Sequence, residues 1–156
     1  MAAVAALLVA GACSDDDPDT VDGSAREAAV IEAVVRSVAA APTNTEEGST
    51  PIVYVVAADG RTIPIEVQAA VAEAFVDEVD LRFADDRAQA IDDDAEQMPV
   101  LGAGTLVAIG VVPESGMVID VPVERYVSDS DSELMMVTLR FADPDWTVTS
   151  TAAVDG

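Results

Sequence analysis

Thirty carboxylates, a single cysteine and no histidine or lysine restrict the chemistry open to this chain of 156 residues. Without histidine, Ser-His-Asp and Cys-His arrangements cannot be built. Without lysine, a Ser-Lys dyad and a Schiff base are also excluded. Zinc, copper and haem sites draw on His or Cys, so they lack a ligand set here. Hard cations remain. Asp129-Ser130-Asp131-Ser132-Glu133 begins with the alternating oxygens of a calcium loop. An EF-hand then needs glycine at position six and an acid at position twelve. Leu134 and Arg140 stand there instead. Asp92-Asp93-Asp94 with Glu96 could gather calcium loosely. In both places a solvated acidic loop is the simpler assignment. Two carboxylates could hydrolyse a glycoside, but among thirty no pair stands out. Leu101-Gly102-Ala103-Gly104-Thr105 carries two glycines but leads into a strand, so it is a tight turn and not a phosphate loop. Trp146, Tyr54 and Tyr126 could stack on a ligand, and we assign them to the core or its rim. No residue is assigned to catalysis or to a metal, and no cofactor is expected.

Cys13 is the remaining reactive group. It follows the apolar stretch Met1-Ala2-Ala3-Val4-Ala5-Ala6-Leu7-Leu8-Val9-Ala10-Gly11-Ala12, and the composition then flips to Ser14-Asp15-Asp16-Asp17-Pro18-Asp19. The segment resembles the end of a bacterial lipoprotein signal peptide. Gly11 and Ala12 match the two small residues before the cysteine. Ala10 stands where Leu, Val or Ile is usual, and no Lys or Arg precedes Arg26. The resemblance implies cleavage before Cys13, lipid on its thiol, and a chain tethered to the outer face of the cell membrane. At about twelve apolar residues the stretch is shorter than the roughly 20 that span a bilayer. An ordinary cleaved signal, giving a fully secreted chain, and a buried N-terminal helix are the alternatives. A lone cysteine excludes an internal disulfide.

Seven arginines face the thirty acids, for a net charge of −23. Phosphate contacts need clustered cations, so no nucleic acid partner is expected. Docking on anionic lipid is disfavoured for the same reason. An apolar fraction of 51% is ample for one core in a chain of this length. Lysine-free, aspartate-rich composition with much Ala and Val fits a high-GC genome, or work in high salt where screening relieves self-repulsion.

The elements follow from periodicity and punctuation. Residues 1–12 are the signal peptide, 13–23 an acidic flexible tether, and 24–156 one domain. Ser24 and Glu27 stand in a capping-box relation, predicting a helix to about Ala41 with Val30, Ile31, Val34, Val35 and Val38 inward. Pro42 stops it. Residues 51–57 are a β-branched run and predict a strand apolar on both faces. A turn follows at 58–61. Pro64 opens a second helix reaching residue 77 or 78, with Ile65, Val67, Val71, Ala74, Phe75 and Val76 on its apolar side. Residues 79–83 alternate as a short strand, and 85–94 predict a short Asp-capped helix. Strands are predicted at 105–112, 117–127, 133–141 and 146–151, separated by turns. Pro122 marks an edge or a bulge.

Helix, strand, helix, strand, short helix and four strands make an α+β domain. Its helices pack on one face of a curved, mainly antiparallel sheet that ends in a four-stranded meander. A cystatin-like or nuclear-transport-factor-like cone is one such arrangement, by analogy only. The strand at 52–56, the helix at 65–75, Leu81-Arg82-Phe83 with Asp86-Arg87, the strand at 106–112, and Arg140-Phe141 with Trp146-Thr147-Val148-Thr149 resemble parts of secreted actinobacterial proteins without an assigned activity. That resemblance implies a fold and no chemistry. The function expected is a tethered, non-catalytic extracytoplasmic domain that binds a protein, an envelope component or a small ligand. A hydrolase using carboxylates or calcium, and a pure interaction or oligomerisation module, are the alternatives.

Overall fold

The computed structural model describes residues 23–39, 50–142 and 144–154. The signal segment, Cys13 and most of the acidic tether lie outside the described residues. Two α-helices and six strands alternate as α1 (Gly23–Val38), β1 (Ile52–Ala57), α2 (Ile65–Ala74), β2 (Asp80–Phe83), β3 (Thr105–Ile109), β4 (Val118–Ser128), β5 (Asp131–Ala142) and β6 (Asp145–Ala153). They form an α+β domain around one mixed sheet, ordered β2-β1-β3-β4-β5-β6. β1 is parallel to both β2 and β3. From β3 onward each strand is antiparallel to the one before it. The parallel portion comes from β1, α2 and β2: a return through a helix brings the second strand back in the same direction.

Both helices cover one face. Val30, Ile31, Val34 and Val35 of α1, with Val67 and Val71 of α2, pack on Val53, Val55, Val107, Ile109, Val121, Val123, Val137 and Leu139. Along each strand these alternate with residues aimed at the other face, as the twofold period requires. The opposite face is covered over β1, β3 and the end of β4 at Tyr126. There Tyr54, Val56, Leu106, Ala108 and Tyr126 lie beneath Ala90 and Val100, contributed by the chain between β2 and β3. β1 and β3 are therefore buried on both sides, in accord with the apolar runs in their sequences.

Several sequence expectations change. α1 begins at Gly23, so Ser24 lies inside the first turn and not at the cap. Glu27 is drawn to Arg61 Nη1, 2.7 Å away, instead of closing a capping box. α2 ends at Ala74, and Ile65 and Val76 are exposed; only the i, i+4, i+8 stripe of Val67, Val71 and Phe75 is buried. Residues 85–94 do not form an α-helix. One 3-10 turn spans Arg87–Gln89, and Ile91 is drawn into an isolated bridge with Val100. β3 stops at Ile109: in register opposite Pro122, the Gly110 nitrogen still donates to the Pro122 carbonyl at 2.8 Å, but proline has no N–H to return to Gly110. β4 is central in the sheet, and no bulge occurs at Pro122. Its carbonyl faces the β3 side, so its nitrogen does too, and the only ladder bond it forgoes is the last one, to the Gly110 carbonyl, at the end of β3. A Cβ on Gly110 would lie 2.4 Å from Pro122 Cγ, so this junction requires glycine.

Candidate functional site

The two crossovers of the parallel strands build the site. α2 carries the chain from β1 to β2 across the helix-covered face. The return from β2 to β3 runs the opposite way over β1, on the other face. Parallel crossovers of one hand that run in opposite directions must use opposite faces. Chains leaving β1 and β2 at their carboxyl ends therefore diverge, and a crevice opens between them, the position at which open α/β sheets hold ligands.

A cleft of about 280 Å³ lies there, lined by Val56, Ala57, Ala58 and Gly60 from the end of β1, Asp85, Asp86 and Arg87 from the end of β2, Ala108 of β3 and Glu124 of β4. Its floor is one cross-strand row, Val56–Ala108–Glu124. The adjacent row, Arg82–Tyr54–Leu106–Tyr126, is covered by the crossover chain and is closed. The cleft exists because that chain begins its cover one row further down, and because alanines leave its floor shallow.

The back layer is pinned firmly. Tyr126 is buried, and its hydroxyl is shared between the Met98 carbonyl at 2.8 Å and Asp129 Oδ1 at 2.9 Å. Burial first, and then the Asp129 carboxylate, push the phenol above its usual range. The Asp129 nitrogen donates to the Gln97 carbonyl at 2.9 Å, and the Val100 nitrogen to the Val127 carbonyl at 2.9 Å. Gln97, Met98 and Ala103 hold positive φ in this layer, a conformation that side chains adopt at a cost of roughly 1–2 kcal/mol each. These bonds hold the strained backbone against the sheet.

Arg87 lies along one wall. Its Nη1 donates to both oxygens of Glu124, at 2.8 and 2.7 Å, and its guanidinium sits 4.2 Å from the centre of the Tyr126 ring. Ser132 adds a bond to Glu124 Oε1 at 3.1 Å. Asp86 is half engaged: its Oδ1 accepts from the Ala88 nitrogen at 2.9 Å and caps the 3-10 turn. The Asp85 carboxylate has no hydrogen bond or ion pair among the described residues. With Glu124 neutralised by Arg87, Asp85 and Asp86 leave the mouth of the cleft negative.

A larger cleft of about 520 Å³ lies on the other side of the 58–61 turn, lined by Gly23, Ser24, Arg26, Glu27, Arg61 and residues 111–114. Size favours it, and its Glu114 has no hydrogen bond or ion pair among the described residues, but both of its arginines are committed. Arg26 donates to the carbonyls of Pro113 (3.0 Å) and Gly116 (2.8 Å), while Arg61 pairs with Glu27 and Asp59. We take the smaller cleft as the candidate site because it lies at the divergence of the parallel strands.

The sites weighed from sequence fall elsewhere. Asp129 and Asp131 belong to the β4–β5 hairpin: Asp129 accepts from Tyr126, and Asp131 pairs with Arg125 at 3.0 Å. Residues 92–99 form a loop closed by the Ile91–Val100 bridge. Among the described residues no three His, Cys, Asp or Glu side chains converge to hold a metal. Residues 101–104 form the turn into β3. Trp146 is buried at 8% exposure, tilted against Phe141 at 5.4 Å and capped by Arg26 at 4.5 Å. Tyr54 is buried beneath Arg82, whose Nη1 donates to its hydroxyl at 3.0 Å. The cleft residues Asp85, Arg87, Ala108 and Glu124 were not singled out as a site in the sequence. The usable signal was the strand–helix–strand pattern at 51–83, whose carboxyl ends are followed by Ala58-Asp59-Gly60 and Asp85-Asp86-Arg87.

No protein-family model matches the chain, and no curated protein or solved structure matches it either. Among the described residues no helix is long and apolar enough to cross a membrane. The function must be argued from the cleft and the sequence.

Proposed function

We propose that this chain is a membrane-tethered extracytoplasmic domain that binds a small ligand without transforming it. The tether is lipid on Cys13, and the acidic residues 13–23 hold the domain away from the bilayer surface. The last four strands are a curved antiparallel meander that serves as scaffold, and the ligand sits at the carboxyl ends of the parallel strands. One observation carries this: a cleft at the strand divergence whose polar groups include the Asp85 carboxylate, which has no hydrogen bond or ion pair among the described residues. A binding role fits a wall whose only reactive side chains are carboxylates, with Glu124 tied up by Arg87 and Asp86 by the 3-10 turn it caps.

Two measurements test the proposal. Cys13→Ser should move the protein from the membrane to the soluble fraction and abolish lipid labelling; unchanged fractionation removes the tether. A small-molecule screen by thermal shift should return ligands whose effect is lost in Ala108→Leu, which fills the cleft floor. Hits indifferent to Ala108→Leu place binding elsewhere and sink the cleft assignment.

A further inference from the structure

We infer that the cleft takes a small organic cation, an ammonium group on a short apolar chain. This rests on the cleft being the binding site proposed above, and adds the class of ligand.

Three features combine. First, most of the floor is apolar and shallow: Val56 and Ala108 are cross-strand partners, and the Glu124 end of the row is already bonded to Arg87 and Ser132. It can cover methylene groups and offers them no hydrogen bonds. Second, the charge at the rim is one-sided. Asp85, Asp86 and Glu124 face a single guanidinium, Arg87, which is committed to Glu124 through Nη1. The seven salt bridges among the described residues include neither Asp85 nor Asp86. Third, the two acids outside these salt bridges are geometrically separated from the apolar part of the floor. Asp85 and Asp86 follow β2, whereas Val56 and Ala108 belong to β1 and β3. A ligand that uses both must have a charged end and an apolar body.

The alternatives of the same size fit less well. An anion would meet two uncompensated carboxylates at the mouth, in a chain of net charge −23. A bare divalent ion needs several oxygens around one point, and no three acidic side chains converge among the described residues. An ammonium needs only two or three acceptors and carries its apolar remainder with it. At about 280 Å³ the cleft falls below the usual range for drug-sized ligands. It offers space for roughly nine waters at ~30 Å³ each, which suits a short amine and excludes a bulky one.

The experiment is calorimetric titration of the full domain in 150 mM salt (about physiological strength) with three probes of one length: 1,4-diaminobutane, 1,4-butanediol and succinate. Salt at this level suppresses loose condensation of the diamine on the acidic surface. Two variants accompany the parent: Ala108→Leu, and the double change Asp85→Asn with Asp86→Asn, which keeps the oxygen that caps the 3-10 turn. The diamine should bind saturably with one site, and the diol and succinate should not. Each variant should weaken the diamine at least tenfold. Diamine binding that is unchanged in both variants is condensation on the acidic surface and overturns the inference. Diol or succinate binding that is lost in Ala108→Leu leaves the cleft standing as a site and overturns the cationic class alone. If none of the probes binds, the inference also falls, and the thermal-shift screen decides separately whether the cleft binds anything.

Discussion

The parallel and antiparallel halves of the sheet are built from similar residues but covered differently. β1 and β3 are buried on both faces, by the helices and by the 84–104 crossover. β4 and β5 alternate buried and exposed residues over most of their length, with their outer face open to water. The difference follows from connectivity. A hairpin returns a strand without crossing the sheet, so it adds no cover; a parallel return must cross a face and covers it. Only the half with two crossovers acquires a divergence at its strand ends, and with it a cleft. The other half offers area and register. Its outer edge, β6, is broken by a register shift between Thr138 and Leu139, and the opposite edge, β2, has four residues carrying the paired charges Asp80 and Arg82. Both devices discourage strand addition at the sheet edges.

This contrast can be broken by substitution. The largest effect is expected at Leu106, fully buried between β3 and the crossover layer. Leu106→Ala should cost about 3 kcal/mol in denaturant unfolding and loosen the layer that bounds the cleft. Next comes Gly110→Ala, whose new methyl would meet a proline ring that cannot swing away. We expect a loss of about 2 kcal/mol from overpacking, read by the same unfolding curves.

Tyr126→Phe should cost about 1 kcal/mol for the lost hydroxyl bonds and raise amide exchange across residues 92–99. It also carries a pH signature. Tyr126 ionises later in the folded chain than in the unfolded chain, because burial and Asp129 disfavour the phenolate. Its contribution is complete below the unfolded tyrosine pKa of about 10, and is lost as pH rises through the folded value. The parent should therefore lose stability more steeply above that pH than Tyr126→Phe. A difference of zero across the alkaline range would contradict this arrangement of the hydroxyl. The smallest effect belongs to the uncovered half: Leu134, 48% exposed on β5, should tolerate alanine within about 0.5 kcal/mol. A cost near that of Leu106→Ala would mean that the outer face is covered, and the contrast would collapse.

Most elements were legible in the sequence because apolar period and turn residues report local structure. The β-branched run at 52–56 and the alternation of Ile119, Val121 and Val123 needed no tertiary information. What was hidden depended on partners distant in sequence. Residues 85–94 carry an aspartate cap and inward apolar residues suited to a helix, yet the Ile91–Val100 bridge overrides them. Pro122 looked like an edge or a bulge; it is tolerated in a central strand because β3 ends beside it. The positions of the arginines were hidden too. Four of them lie over aromatic rings: Arg26 on Trp146, Arg36 on Phe75, Arg82 on Tyr54 and Arg87 on Tyr126. A planar guanidinium can cap a ring and still bond sideways, as Arg87 does to Glu124. The cleft was illegible for the same reason. Its floor and acids come from four strands and become one site only after the sheet is ordered.

The most direct test is an amide correlation spectrum of the isotopically labelled domain titrated with 1,4-diaminobutane. The structure predicts saturable shifts confined to residues 56–60, 85–87, 108 and 124, absent in Ala108→Leu. Shifts spread over the acidic surface, or centred on the outer face around residues 118, 134 and 138, would contradict a ligand site at the strand divergence.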